Sequence, residues 1–316
     1  MKLIVQIPCF NEEKTLPQTV ADIPRDIPGI DTVEVLIIDD GSSDKTVQVA
    51  ADIGVDHIIE NAHNLGLART FARGMEECLK RGADIIVNTD GDNQYMGADI
   101  ADLVQPVVEG RAELVVGNRN THRVEHFSPL KKLLQKLGSR VVRNLSGVQV
   151  GDAVSGFRAI TREAALRINI VSSFSYTTEM LIQAGKKQFS VSEVPVRTNA
   201  KTRDSRLFRS IPQFITQQLA TMLRMYVMYR PLRFFFGLGA LLSIAGFLPV
   251  LRFLYFYVTS GGAGHIQSLV LGGVLMLMGF ASFIVALVAD IINFNRQLIE
   301  VTLEKVRRLE LTGGDD

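Results

Sequence analysis

Tryptophan is absent from this 316-residue chain, and cysteine occurs twice, at Cys9 and Cys78. The two thiols lie far apart, in segments that read as strand and helix, so two reduced thiols are expected rather than a disulfide framework. The formal net charge is +1, too small an excess for a nucleic-acid binder that works through bulk charge. The opening "MKLIVQIPCFNEE" has too short an apolar run, and too acidic a sequel, for a secretory signal. No Gly-x-Gly-x-x-Gly follows the first apolar run and no Gly-Lys-Ser/Thr loop occurs, which disfavours a dinucleotide enzyme or a P-loop NTPase. The five histidines show no zinc-ligand spacing. A further absence divides the chain. From Ser205 to Ala289 there is no Asp or Glu, while Arg recurs up to Arg252.

Within that acid-free part, Phe234 to Leu251 carries no charge, and Ile266 to Ala289 is a second uncharged stretch. A bilayer core needs about 20 helical residues, so both qualify as spans. Their connector, "TSGGAGH", holds no Lys or Arg, whereas Arg230 and Arg233 precede the first span and Arg296, Lys305, Arg307 and Arg308 follow the second. The positive-inside bias then puts both termini and the N-terminal domain on the cytoplasmic side of the cell membrane. Ahead of the hairpin, Leu207, Ile211, Phe214, Ile215, Leu219, Met222 and Tyr226 recur at helical spacing among Arg206, Arg209 and Arg224. That pattern fits a helix in the membrane interface or one packed on the globular domain. The expected organisation is a domain over 1–205, an amphipathic helix over 206–230, two spans over 231–294 and a last amphipathic helix over 295–316. The last helix could pair with a copy of itself, which leaves room for a homo-oligomer.

Before residue 205 the chain alternates apolar runs, polar turns and amphipathic segments, the pattern of an α/β domain. "KLIVQIPC", "VEVLIID", "DIIVN" and "AELVVGN" read as strands, the first breaking at Pro8 into a polar loop. In an open α/β sheet, ligands bind beyond the carboxyl ends of the strands, so the following loops should converge on one cleft. The third loop, "TDGDNQY", offers Asp90, Asp92 and Gln94 on alternate residues. Hard oxygen ligands of this kind suit Mg²⁺ or Mn²⁺. An Asp-Gly turn alone would be commonplace, and Gly91 is expected to supply the bend.

The segments "IPCFNEE", "IIDDGSSDKT", "NLGLARTFARG", "TDGDNQY", "VGNR" and "DAVSGFRAI" together resemble family 2 glycosyltransferases with the GT-A fold. They are most similar to the dolichyl- or polyprenyl-phosphate sugar transferases, the dolichol-phosphate mannose synthase group. The resemblance covers roughly residues 1 to 200. It implies a GT-A catalytic domain, Rossmann-like with a mostly parallel sheet, followed by the membrane hairpin. It also implies inverting transfer of a sugar from a UDP- or GDP-linked donor to a polyprenyl (undecaprenyl or dolichyl) phosphate, with Mg²⁺ or Mn²⁺ as cofactor. Pro8, Asn11 and Glu12 would hold the nucleoside, Asp40 would accept hydrogen bonds from the base, and Asp39 would orient the loop. Asn64, Gly66 and Ala68 would approach the donor, with Arg69 beside them. Asp90, Asp92 and Gln94 would hold the metal against the donor diphosphate.

Asp152 falls where the resemblance implies an acidic catalytic residue, acting as a base or positioning Arg158 or the acceptor. Arg119 and Arg158 either grip phosphate with a guanidinium fork or pair with structural carboxylates. Glu179 is read first as structural. Lys131, Lys132, Arg140 and Arg143 form a basic helical face that either meets anionic headgroups or is merely solvated. Many family members carry a Gly-Glu-Ser-Lys stretch where this chain has "TNAKTRDSRLFRS"; Lys201, Arg203 or Arg206 would take the cationic role there. A processive synthase is disfavoured, because such members need a Gln-x-x-Arg-Trp motif and this chain has no tryptophan. Intact acids at Asp40, Asp90, Asp92 and Asp152 weigh against a non-catalytic membrane scaffold.

Overall fold

The computed structural model describes residues 1–119, 140, 142–144, 146–171, 176–199, 216, 220, 223–224, 226–261 and 265–312. Lys131, Lys132, the stretch from Lys201 to Arg206 and most of the expected interface helix lie outside those residues.

Among the described residues, seven strands form one sheet in the order β3-β2-β1-β4-β6-β5-β7. β1 (Lys2–Cys9), β2 (Thr32–Asp39), β3 (His57–Glu60) and β4 (Ile85–Asn88) run parallel. β6 (Arg158–Thr161) is antiparallel between β4 and β5 (Leu114–Asn118), and β7 (Val191–Pro195) runs parallel to β5. The four strands expected from sequence are β1, β2, β4 and β5. Their carboxyl ends share one edge, where the antiparallel β6 begins.

The helices of this domain are α1 (Leu16–Ala21), α2 (Thr46–Asp52), α3 (Leu67–Lys80), α4 (Ile100–Val108), α5 (Arg162–Arg167) and α6 (Tyr176–Lys186). Successive strand residues point to opposite faces. Accordingly Leu3, Val5 and Ile7 join Leu16, Ile100 and Leu103 in one core, while Ile4 joins Phe71, Met75 and Leu181 in the other. Both faces are covered, which is why β1 and β2 are nearly continuous apolar runs. Each fully buried aliphatic side chain contributes roughly 1.5–3 kcal/mol.

Pro8 does not end β1. It pairs in register with Ile38, and the strand continues to Cys9. The carbonyl of Gln6 faces β4, accepting the Thr89 N–H at 3.2 Å. By strand alternation Pro8 faces the same side, beyond the last β4 pair, Gln6 with Asn88. Its missing N–H therefore costs no ladder bond.

The chain divides into two compact units, Met1–Met222 with Leu303–Asp316, and Leu223–Thr302. The second holds α7 (Pro231–Ser260) and most of α8 (Ile266–Thr312). Both helices are long and apolar enough to cross a membrane, and only 11% and 17% of their apolar windows are buried. That exposure suits a transmembrane hairpin and not the core helices of a globular domain. Their seam depends on close backbone approach: a Cβ on Gly246 would lie 2.7 Å from the Gly272 carbonyl oxygen. Ser282 Oγ donates to the Phe235 carbonyl at 2.8 Å. Small residues and hydroxyl bonds of this kind hold helices together in lipid.

The expected break at residue 294 is absent: α8 is one helix of 47 residues. No proline or glycine lies between Asp290 and Thr312 to interrupt it. Its last turns belong to the first unit. There Arg307 Nη1 donates to the Ile168 carbonyl at 3.0 Å, Arg308 pairs with Glu163 at 2.7 Å, and Leu311 packs on the core.

Candidate active site

The loops beyond β1 and β2 are laced together by backbone-to-side-chain bonds. Asn11, with φ +57°, donates its N–H to Ser42 Oγ and accepts the Ser43 N–H on Oδ1, both at 2.8 Å. Asparagine tolerates that left-handed conformation better than most residues. Glu12 donates its N–H to Thr46 Oγ1 at 2.8 Å, and Glu13 accepts the Lys45 N–H at 3.1 Å. Asp44 accepts the Thr46 N–H at 3.0 Å, the local bond expected at the start of α2.

The acid pair divides its work differently from the expectation. Asp40 accepts Asn61 Nδ2 at 2.9 Å and the N–H groups of Leu65 and Gly66 at 2.8 and 3.0 Å. It is therefore the residue that fixes the loop before α3. Asp39 accepts the Ser42 N–H at 2.9 Å on Oδ2, while its buried Oδ1 has no hydrogen-bond partner among the described residues. An orphaned buried carboxylate oxygen is costly without a donor, so Asp39 is the better placed to receive one from a ligand. Asn64 and Arg69 are exposed, whereas the Ala68 side chain lies in the core and offers a ligand only backbone.

Asp90 and Asp92 are both half-buried beyond β4, and Gln94 is exposed. Asp92 Oδ1 accepts the Gln94 N–H at 3.1 Å. The bend comes from Asn93, at φ +55°, not from Gly91. Gly91 is needed for space: a Cβ there would lie 3.0 Å from Cys9 Sγ and 3.3 Å from Glu12 Cγ. Its carbonyl accepts Thr15 Oγ1 at 2.8 Å, tying this loop to the first. Burial, with Glu12, Asp39, Asp44 and Asp90 nearby, pushes the Cys9 thiol well above its ordinary pKa. The carboxylates of Asp90 and Asp92 are hard oxygen donors of the kind that suit Mg²⁺ or Mn²⁺. Among the described residues no three His, Cys, Asp or Glu side chains gather as a metal-holding group. Asp90 and Asp92 would leave coordination positions for a diphosphate and water.

Across the edge, Arg119 grips Asp152 bidentately, Nε to Oδ2 at 2.7 Å and Nη2 to Oδ1 at 3.0 Å. The Asp152 side chain is 1% exposed and that of Arg119 13%. Burial opposes the guanidinium charge, but Tyr95, Asp152 and Asp90 outweigh it and hold the Arg119 pKa above its ordinary value. Arg158 is different. It is 1% exposed, and its Nε, Nη1 and Nη2 donate to the carbonyls of Ser155, Thr177 and Ala153 at 2.9, 2.7 and 2.8 Å. Arg158 thus ties the 153–155 loop to α6 instead of reaching a phosphate, and the nearby Asp152 favours its charge against burial. Glu179 is buried and accepts the Val171 N–H at 3.2 Å, a structural contact.

Three contributors were not foreseen. Glu193 on β7 accepts the N–H groups of Gly151 and Asp152 at 2.8 and 3.1 Å, setting the loop that carries Asp152. Asn88 donates to the Gly156 carbonyl at 2.9 Å and to Tyr176 Oη at 3.1 Å. Asn199 clamps the Asp92–Gln94 turn. The one available signal was an acid inside the strand-like "VSEVP".

Residues 4–168 match the model of Glycosyl transferase family 2. The UDP-N-acetylglucosamine–dolichyl-phosphate N-acetylglucosaminyltransferase of Methanococcus voltae is 29% identical over 61% of this chain and 83% of its own length. The polyprenol monophosphomannose synthase of Mycolicibacterium smegmatis is 27% identical over 62% of this chain and 76% of its own length. The fold is also that of glucosyl-3-phosphoglycerate synthase from Mycobacterium tuberculosis, solved with Mn²⁺, UDP-glucose and phosphoglyceric acid. There the TM-score is 0.56 at 18% identity, covering 72% of this chain and 78% of that one. The α/β domain is thus GT-A-like, and the chain is a glycosyltransferase that belongs to family 2.

Proposed function

We propose that this enzyme moves one sugar from a UDP- or GDP-linked donor to a polyprenyl phosphate, at the cytoplasmic face of the cell membrane. One observation carries the proposal: half-buried Asp90 and Asp92 follow β4 at the carboxyl edge of the sheet, in a chain that also holds two apolar, lipid-length helices. The named activities of the Methanococcus and Mycolicibacterium relatives support a lipid-phosphate acceptor, and the arginines flanking the hairpin support the orientation.

In this scheme an oxygen of the acceptor phosphate attacks the anomeric carbon of the donor. The bond from that carbon to the diphosphate breaks, and the nucleoside diphosphate leaves with the electron pair. The configuration inverts, so an α-linked donor yields a β-linked product. A phosphate monoester has its second pKa at about 6 and is already mostly ionised, so the acceptor needs no strong base. That fits an Asp152 engaged on both oxygens by Arg119. Asp39 offers an acceptor to the nucleobase, and Asn11, Glu12, Asn64 and Gly66 shape the nucleoside side of the cleft. Mg²⁺ or Mn²⁺, held by Asp90 and Asp92 beside Gln94, would supply Lewis-acid stabilisation of the departing diphosphate.

The test uses purified full-length protein in detergent with undecaprenyl phosphate and a panel of UDP- and GDP-sugars. The expected outcome is Mn²⁺-dependent release of nucleoside diphosphate, stimulated by the lipid phosphate and lost in Asp92→Ala. Unchanged turnover in that variant would remove Asp92 from the mechanism.

A further inference from the structure

Asn93 is 9% exposed and stands at φ +55°, a region few non-glycine residues occupy. That single reversal aims the Gln94 N–H at Asp92 Oδ1. A local bond of this kind competes poorly with water by itself, so the turn needs support from outside. The support comes from the segment after β7. Asn199 donates its backbone N–H to the Gln94 carbonyl at 2.9 Å. Its Nδ2 reaches the Asn93 carbonyl at 3.0 Å, Asn93 Oδ1 at 3.3 Å and the Tyr95 carbonyl at 3.4 Å. Thr198 bridges to Tyr95, and Arg197 is anchored on Asp99, its Nε lying 2.9 Å from Oδ1. A residue 106 positions away thus grips all three residues that follow Asp92.

We propose that Asn199 is a positioning residue for the Asp92–Gln94 turn and thereby sets the affinity of this loop for a divalent cation. The proposal rests on the metal role of Asp90 and Asp92 given above. Asn199 touches no ligand itself. Without its amide the Asn93 carbonyl and side-chain oxygen turn to water, which satisfies them but fixes no backbone angle. Asp92 then loses its fixed direction, and the second carboxylate must be ordered anew each time a cation binds. Partners lying behind the direct ligands typically account for about 10- to 100-fold in metal affinity.

The experiment measures Mn²⁺ binding to the purified full-length protein, without substrates, from the loss of the free-ion signal in electron paramagnetic resonance. Asn199→Ala and the similarly sized Asn199→Leu should each weaken binding about tenfold. Their metal-free melting temperatures should stay within about 2 °C of wild type, as for a change confined to one partly exposed turn. Wild-type Mn²⁺ affinity in both Asn199 variants overturns the proposal. So does lost affinity with melting lowered by more than about 5 °C, which would make Asn199 a general fold contact. Wild-type binding by Asp92→Ala would instead overturn the metal role itself, and this inference with it.

Discussion

Arg158 brings a guanidinium into the middle of the sheet edge, where it donates to three backbone carbonyls. Burial lowers its pKa to about 10, so it remains charged at neutral pH. Replacing it with leucine leaves three carbonyls unanswered at the junction of the 153–155 loop and α6. Arg158→Leu should therefore cost about 3–5 kcal/mol, read as a melting temperature lower by roughly 10 °C. Donor KM in the protein that remains folded should be unchanged. Normal melting with a raised donor KM would restore the phosphate role. At this scale the place of Asp90 and Asp92 beyond β4 was legible, because the apolar run that builds the strand stops at Asn88. Arg158 was misread because a guanidinium suits phosphate and carbonyl equally well, and only burial decides between them. The roles of Glu193 and Asn199 were not readable, because each acts on backbone groups more than 40 positions away, although the acid inside "VSEVP" was a signal for the first.

At the scale of elements, the sheet owes its site to one antiparallel strand. β6 brings Arg158 and the 151–157 loop to the edge where β1, β2 and β4 end. The strongly apolar strands were readable from sequence, even the four-residue β4; β3 and β6, equally short, carry charged or polar residues at their ends and give no such run. The C-terminal segment expected as a helix of its own is continuous with the second apolar helix, as no breaker marks a boundary there. Its function as a brace was not readable either. Arg307 answers the Ile168 carbonyl just beyond α5, and its guanidinium pKa is lowered by burial. Arg307→Ala should cost about 1–2 kcal/mol, measured by chemical unfolding of the purified protein. An unchanged midpoint would show that the last turns of α8 add no stability to the catalytic unit.

At the scale of the whole molecule, the two compositions of this chain correspond to two tasks. The acidic, alternating part builds a GT-A-like domain whose strand-end loops are bonded to one another. The acid-free part builds two helices with apolar flanks and a glycine seam. A family 2 enzyme that also carries two lipid-length helices accords with the lipid-phosphate acceptor proposed above. The central claim is therefore transfer of a single sugar to a lipid phosphate. Its most direct test is mass spectrometry of the lipid fraction after the full-length protein, Mn²⁺, undecaprenyl phosphate and each of several UDP- and GDP-sugars have been incubated together. The account predicts, with at least one donor, a lipid heavier by one sugar residue and no higher series. A ladder of products, or released sugar with the lipid unchanged across the panel, would contradict it.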